Sequence, residues 1–323
     1  MRIATRVVLA VAAAVWLGTA GAQPKYPTKS IRFIIPYPAG SAADTIARAM
    51  EPVLAERLKQ PVVLENRDGS GGIAGMDTLT KSAPDGYTVG IAGMTLLAAN
   101  VSLYPKLAYD PGKQLAPVSQ VAVLPFVLAG GAKLPATTLA EVIGLARAKP
   151  GELLLGYGGN GTPMHLAAEL FKLLAKVQMV NTPYKSSEPV AADAAAGRLA
   201  LAIVELSQAQ AGLKSGALKA IATTGAKRMT AAAGVPTMAE SGLEAYEANG
   251  WLGIVVAAGT PAAIVQRLNA EVAATLKRPE VRDRIAGAGG EPAAGSPEEF
   301  AALIRAETEK WAEVVKLSGA RPD

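Results

Sequence analysis

Ile31-Arg-Phe-Ile-Ile-Pro-Tyr-Pro-Ala-Gly-Ser-Ala-Ala-Asp44 decides the fold. It runs from an apolar strand through a turn of small residues into the start of a helix. The same order returns about 120 residues later in Leu153-Leu-Leu-Gly-Tyr-Gly-Gly-Asn-Gly-Thr-Pro-Met-His165. A turn of Gly, Ala and Ser lets backbone N–H groups approach a ligand closely, and a helix N-terminus carries partial positive charge. Two such turns facing each other grip an anion without a lysine, which points to a binding protein for small anionic solutes. The candidate binding residues are therefore Tyr37, Pro38, Ala39, Gly40, Ser41, Ala42 and Asp44 at the first turn, and Gly159, Asn160, Gly161, Thr162 and His165 at the second.

Outward from these junctions, strands alternate with helices, which predicts an α/β fold with mostly parallel sheets. Strands are expected over 31–35, 61–65, 87–91, 153–156, 179–184, 199–204, 218–223 and 251–257. A helix over 41–59 puts Ile46, Met50, Val53, Leu54 and Leu58 on one face. Further helices are expected to open in the glycine-rich 69–75, and over 162–175 and 188–197. Thr138-x-x-Glu141 and Ser296-Pro-Glu-Glu299 are capping boxes. Two helices close the sequence, the first with Thr260 as N-cap and Pro261 at its first position. The apolar run 118–130, broken by Pro125, carries the chain from one domain to the other, and a return near 246–252 makes the first domain discontinuous. The domains are then residues 26–124 plus 247–323 for one lobe and 125–246 for the other, joined by a hinge of crossing strands.

The first 22 residues read as a secretory signal. Arg2 and Arg6 form the basic region, residues 7–17 the apolar core, and Ala20-Gly21-Ala22 the cleavage site before Gln23. The mature chain is expected in a bacterial periplasm. With no cysteine in the sequence, stability comes from core size and not from disulfides. About 300 residues remain after processing, enough for two domains. The net charge of +5 falls by two, to +3, when the signal is removed. That suits an anionic ligand weakly. Without a dense Lys/Arg stripe and with 5% aromatics, it does not indicate nucleic acid.

Each motif has a bland reading beside the functional one. Gly156-x-Gly158-x-x-Gly161 matches a dinucleotide fingerprint, but Asn181 stands where a ribose-binding acid belongs. Asp44 is either a helix cap or a rim residue that accepts bonds from a ligand. His165, the only histidine, is either structural or a neutral donor in the pocket. Tyr37, Tyr157 and Tyr184 are either half-buried core or pocket walls that donate hydroxyl bonds. Glu205, at the C-terminal edge of a strand, binds a ligand ammonium or an ordered water, or is solvated. No G-x-S-x-G elbow, paired nucleophile and base, or metal-ligand cluster is present in the sequence, so no enzyme chemistry, cofactor or metal is expected.

Motifs in order along the chain carry a resemblance. They include Tyr26-Pro-Thr-Lys-Ser-Ile-Arg32, Pro36-Tyr-Pro-Ala-Gly40, Pro61-Val-Val-Leu-Glu-Asn-Arg67, Ala83-Pro-Asp-Gly-Tyr87, Gly159-Asn-Gly-Thr162 with His165-Leu-Ala167, Pro183-Tyr-Lys185 and Ala258-Gly-Thr-Pro261. From Tyr26 to the C-terminus the chain resembles the periplasmic solute receptors of the tripartite tricarboxylate transporter system, also called Bordetella-uptake (Bug) receptors. The resemblance implies a type II periplasmic-binding-protein clamshell, a monomer that holds a carboxylate between its lobes. It also implies, as partners, the large and small integral membrane subunits of an ion-coupled secondary carrier. The loops at 39–44 and 159–165 match those that hold the proximal carboxylate through backbone amides and ordered waters. The chain departs from the family's pattern at Ser41 and Ser186, where glycine is usual, at Glu205-Leu206, and at Met94-Thr95-Leu96-Leu97, which replaces a more polar loop. Two other roles stay open at this stage: a sensor presenting its ligand to a membrane kinase, and a periplasmic enzyme acting on an organic acid.

Overall fold

The computed structural model describes residues 26–322; the signal segment 1–22 lies outside them. In chain order the elements are β1 (Ile31–Ile35), α1 (Ala42–Leu58), β2 (Val62–Asn66), α2 (Ile73–Thr80), β3 (Thr88–Gly93), a π-helical turn (Thr95–Ala99), α3 (Asn100–Leu103), α4 (Pro111–Gln114) and β4 (Leu115–Leu124). The chain then forms β5 (Phe126–Gly131), α5 (Leu139–Ala148), β6 (Leu154–Gly158), α6 (Pro163–Ala175), β7 (Val180–Tyr184), α7 (Ser187–Ala195), β8 (Leu201–Glu205), α8 (Leu206–Ser215) and β9 (Leu218–Thr223). It finishes with β10 (Gly250–Ala257), α9 (Ala262–Thr275), α10 (Pro279–Gly287), β11 (Glu291–Pro292) and α11 (Pro297–Ser318).

The strands build two sheets, ordered β11-β4-β10-β3-β1-β2 and β7-β6-β8-β5-β9. The pairs β1/β2, β1/β3, β6/β7 and β6/β8 are parallel, as βαβ crossovers require. The expectation of mostly parallel sheets fails at the strands that cross between lobes. Strand β10 is antiparallel to both β3 and β4, and β5 is antiparallel to both β8 and β9. The reason is geometric. Strands β1, β3 and β8 end at the cleft, whereas β5 and β10 enter their sheets from it and so run the other way. The register shows this: Gly250, first in β10, pairs with Leu124, last in β4. Phe126, first in β5, pairs with Glu205, last in β8.

Two further sequence expectations change. Thr260 is not the N-cap of α9; its hydroxyl donates to the Ala257 carbonyl at 2.7 Å, and Pro261 stands at the cap. Helices α8 and α10 arise where the sequence showed none. Both predicted capping boxes form, Thr138 with Glu141 and Ser296 with Glu299.

The first lobe's core packs Phe33, Ile35, Ile46, Met50, Val89, Ile254, Leu268 and Ile285 between its sheet and α1, α9 and α10. A second cluster runs through both lobes, from Ala92 and Trp251 to Leu128, Leu155 and Phe171. Helix α11 joins them: it packs on α6 as well as on β4, with Trp311 fully buried. Gly253 in β10 is fixed by this packing, because a Cβ there would stand 2.1 Å from Phe300 Cζ of α11.

Candidate functional site

The first turn leaves β1 at Pro36 and enters α1 through Gly40, whose φ of +81° suits glycine. Ser41 caps the helix, its Oγ accepting from Asp44 N at 3.2 Å. Asp44 is 3% exposed and points inward. Its Oδ2 accepts from Gly40 N (2.9 Å) and Arg48 Nε (2.9 Å), and its Oδ1 from Asn66 Nδ2 (2.8 Å). Burial works to raise its pKa, but the bonds from Arg48, Gly40 and Asn66 outweigh it and hold the carboxyl at about 2. The N–H groups of Ala42 and Ala43, the first two of α1, have no acceptor among the described residues. They are the orphan donors of a helix N-terminus.

The second turn repeats the plan. Gly159 and Gly161 take φ of +92° and +73°. Thr162 caps α6, accepting from His165 N at 3.3 Å and donating to the Gly159 carbonyl at 2.8 Å. Asn160 Oδ1 bonds the Tyr157 hydroxyl at 3.1 Å. His165 lies 3% exposed, stacked on Tyr157 at 4.7 Å. Its Nδ1 accepts from Gly161 N at 3.0 Å, and its Nε2 lies 3.5 Å from Glu169 Oε1. Burial would raise the Glu169 carboxyl; bonds from His165, Lys172 and Asn181 instead bring it down to about 2. Pro163 has no N–H, so Met164 supplies the free donor of this helix end.

The two helix ends meet. An inner cavity of about 180 Å³ is lined by Ser41, Ala42 and Ala43 from α1 and by Pro163 and Met164 from α6. Tyr37, Met94, Phe126, Trp251 and Glu205 close it, with the crossing residues Leu124 and Pro125 at the hinge. An outer mouth of about 620 Å³ adds Gly40, Ser186, Ser187, Gln208 and Arg284.

Of the residues expected from sequence, Tyr37, Gly40, Ser41, Ala42 and Glu205 line these spaces. Pro38 and Ala39 are exposed beside the turn. Asp44 and His165 lie behind the two turns and hold them. Gly159, Asn160, Gly161 and Thr162 shape the second turn without lining the cavity. Tyr184 donates to Asp193 Oδ2 at 2.7 Å, and burial with that acid pushes it up to about 12. The Tyr37 hydroxyl accepts from Gly93 N at 2.8 Å, and burial raises its pKa. Sequence reasoning missed Pro163 and Met164, although the first two positions of a helix are where N–H groups stay free. It also missed Phe126, Trp251 and Gly289, which distant segments bring in. Among the described residues no cluster of His, Asp and Glu could hold a metal ion, and no helix is long and apolar enough to cross a membrane.

Comparison with known proteins gives concordant matches. A family model described as the tripartite tricarboxylate transporter family receptor matches residues 46–319. Protein BugT of Bordetella pertussis is 34% identical over 313 residues, covering 95% of this chain and 96% of BugT. The structure described as R. palustris Rpa4515 with adipate superposes with a TM-score of 0.78 at 34% identity, covering 92% of this chain and all of that one. MatC from Rhodopseudomonas palustris with bound malate gives 0.74 at 28% identity, covering 90% of this chain and all of MatC.

Proposed function

The chain belongs to the tripartite tricarboxylate transporter receptor family, and from that premise we propose that it captures a small carboxylate in the periplasm and delivers it to the membrane subunits of such a carrier. One observation carries the reading: the N-terminal residues of α1 and α6, one helix from each sheet's lobe, line the same cavity. The carboxylate accepts from the N–H groups of Ala42 and Ala43 on one side and of Met164 on the other. Each charge-assisted bond of this kind contributes about 1.5–3 kcal/mol. The two helix dipoles add roughly 0.3–1 kcal/mol each.

The lobes, taken as residues 26–124 with 247–323 and as residues 125–246, move about the crossing segments at Pro125 and before Gly250. A ligand that touches both lobes binds the closed form more tightly than the open one. Closure adds the bonds of the second lobe, so the Met164 amide and its helix dipole contribute about 2–4 kcal/mol of differential affinity, which shifts the balance toward the closed form roughly 20- to 900-fold. The acid is held and released unchanged, and no catalysis is assigned. The neighbours with adipate and malate support a carboxylate ligand.

Thermal unfolding of protein refolded free of co-purified ligand tests the reading. Melting temperature should rise with particular carboxylates and stay flat with their neutral amides. Equal responses to acids and amides, or none to any acid, would remove its basis.

A further inference from the structure

Glu205 ends β8 at the floor of the cleft and lines both the inner cavity and its mouth. Its Oε2 is buried with no hydrogen-bond partner among the described residues. It stands at the N-cap of α8, yet its side chain makes no capping bond there. A carboxylate accepts bonds and donates none, and a buried acceptor left unmade is unfavourable. Of the polar groups that line the inner cavity, the Trp251 indole N–H is engaged elsewhere, whereas the hydroxyls of Tyr37, Ser41 and Thr95 each keep a proton to donate. Ser41 Oγ accepts from Asp44 N, the Tyr37 hydroxyl accepts from Gly93 N, and the Trp251 indole N–H donates to Glu307 at 3.3 Å. Trp251 therefore offers the cavity hydrocarbon, as do Met94, Leu124, Phe126, Met164 and Leu252. No lysine, arginine or histidine is among the described residues that line the inner cavity. Arg284 and Glu188 line only the outer mouth and are exposed.

We propose that the ligand is an amino monocarboxylate with an apolar body, whose ammonium donates to Glu205 while its carboxylate rests on the two helix ends. The inference rests on the carboxylate-receptor reading and narrows it. A second carboxylate in this cavity meets no cation, faces Glu205 and displaces water from apolar walls, so like charge selects against dicarboxylates. The apolar lining takes up an aliphatic or aromatic side chain by contact alone.

Titration calorimetry at neutral pH on ligand-free protein tests it. The probes are the amino acids with uncharged side chains, the matching deamino acids such as 3-phenylpropanoate and 4-methylpentanoate, and adipate and malate. The expected result is an amino acid binding at least tenfold more tightly than its deamino partner and than either dicarboxylate. Glu205→Gln should then weaken the amino acid about tenfold or more, the loss of one charge-assisted bond, and leave the deamino acid within about threefold. Glu205→Ala should give the same ordering if the glutamine finds a bond of its own, with circular dichroism confirming the fold of each variant. Tightest binding of adipate or malate, or an amino-acid affinity indifferent to both substitutions, overturns this inference and leaves the receptor reading intact. Binding of no acid of any class overturns both.

Discussion

Asp44 and His165 make the same bond in the two lobes: each accepts the N–H of the glycine four residues before it, Gly40 at 2.9 Å and Gly161 at 3.0 Å. Each also donates its own N–H to the cap residue between them, Ser41 or Thr162. The arrangement is like a capping box, except that the returning side chain takes the N–H of the glycine before the cap and not that of the cap itself. It closes the turn and occupies the glycine amide, and the first helical amides, at residues that line the cavity, are left without an acceptor among the described residues.

His165 is therefore a positioning residue. His165→Ala leaves Gly161 N–H without an acceptor and should destabilise the protein by about 1–3 kcal/mol. His165→Asn places an oxygen near the position of Nδ1 and should recover part of that loss. Urea unfolding of both variants checks this; equal stability in all three proteins would mean that the bond does not hold the turn.

Stability should fall in acid, with a sign set by two carboxyls. Asp44 lies at about 2 against an ordinary 3.8, and Glu169 at about 2 against 4.5. Each value is depressed on folding, so each group stabilises the native state above its unfolded pKa, and that contribution disappears as the pH falls through the folded one. The loss between about pH 5 and pH 2 should approach 2–3 kcal/mol per group. Asp44→Asn and Glu169→Gln should each flatten the profile measured by urea unfolding across that range.

Ala42 is the first residue of α1, where proline is tolerated, and Pro163 already fills the same place in α6. Ala42→Pro removes one cleft N–H with its preceding residue already extended, Ser41 having ψ of 163°. Melting temperature without ligand should hold within a few degrees, while carboxylate affinity drops roughly 10- to 150-fold. An unchanged affinity by calorimetry would show that the Ala42 amide does not touch the ligand.

Gly253 tests the joint between β10 and α11. Gly253→Ala drives a methyl into the Phe300 ring and should cost about 1–3 kcal/mol. The double variant with Phe300→Leu should be less destabilised than the sum of the singles. Strict additivity in unfolding experiments would argue against direct contact.

The elements legible in the sequence were those with local signals. The apolar run of β1, the amphipathic face of α1 and the boxes at Thr138 and Ser296 all declare themselves within a few residues. Helix α10 carries only Val281 and Ile285 on its buried face, too few for a periodic pattern, and α8 is similarly polar. Strand direction across the hinge is a property of long-range pairing, which residues 118–130 alone do not encode. The cleft's glycine turns were legible because backbone chemistry sits in sequence. The capping reading of Asp44 and the structural reading of His165 stood among the alternatives in the sequence, but the choice between them, like the role of Tyr184, was not legible, because the partners Gly40, Gly161 and Asp193 become visible only once the chain folds back. Trp251 and Phe126 enter the cavity from the two crossings, where the sequence showed only apolar strands.

Amide proton shifts report the central contact directly. With nitrogen-15 alanine and methionine labels, addition of the carboxylate that most raises the melting temperature should move the Ala42, Ala43 and Met164 amide protons downfield together, with one stoichiometric midpoint. Shifts confined to one lobe, or none at these three amides in a saturated complex, would contradict a ligand held between the ends of α1 and α6.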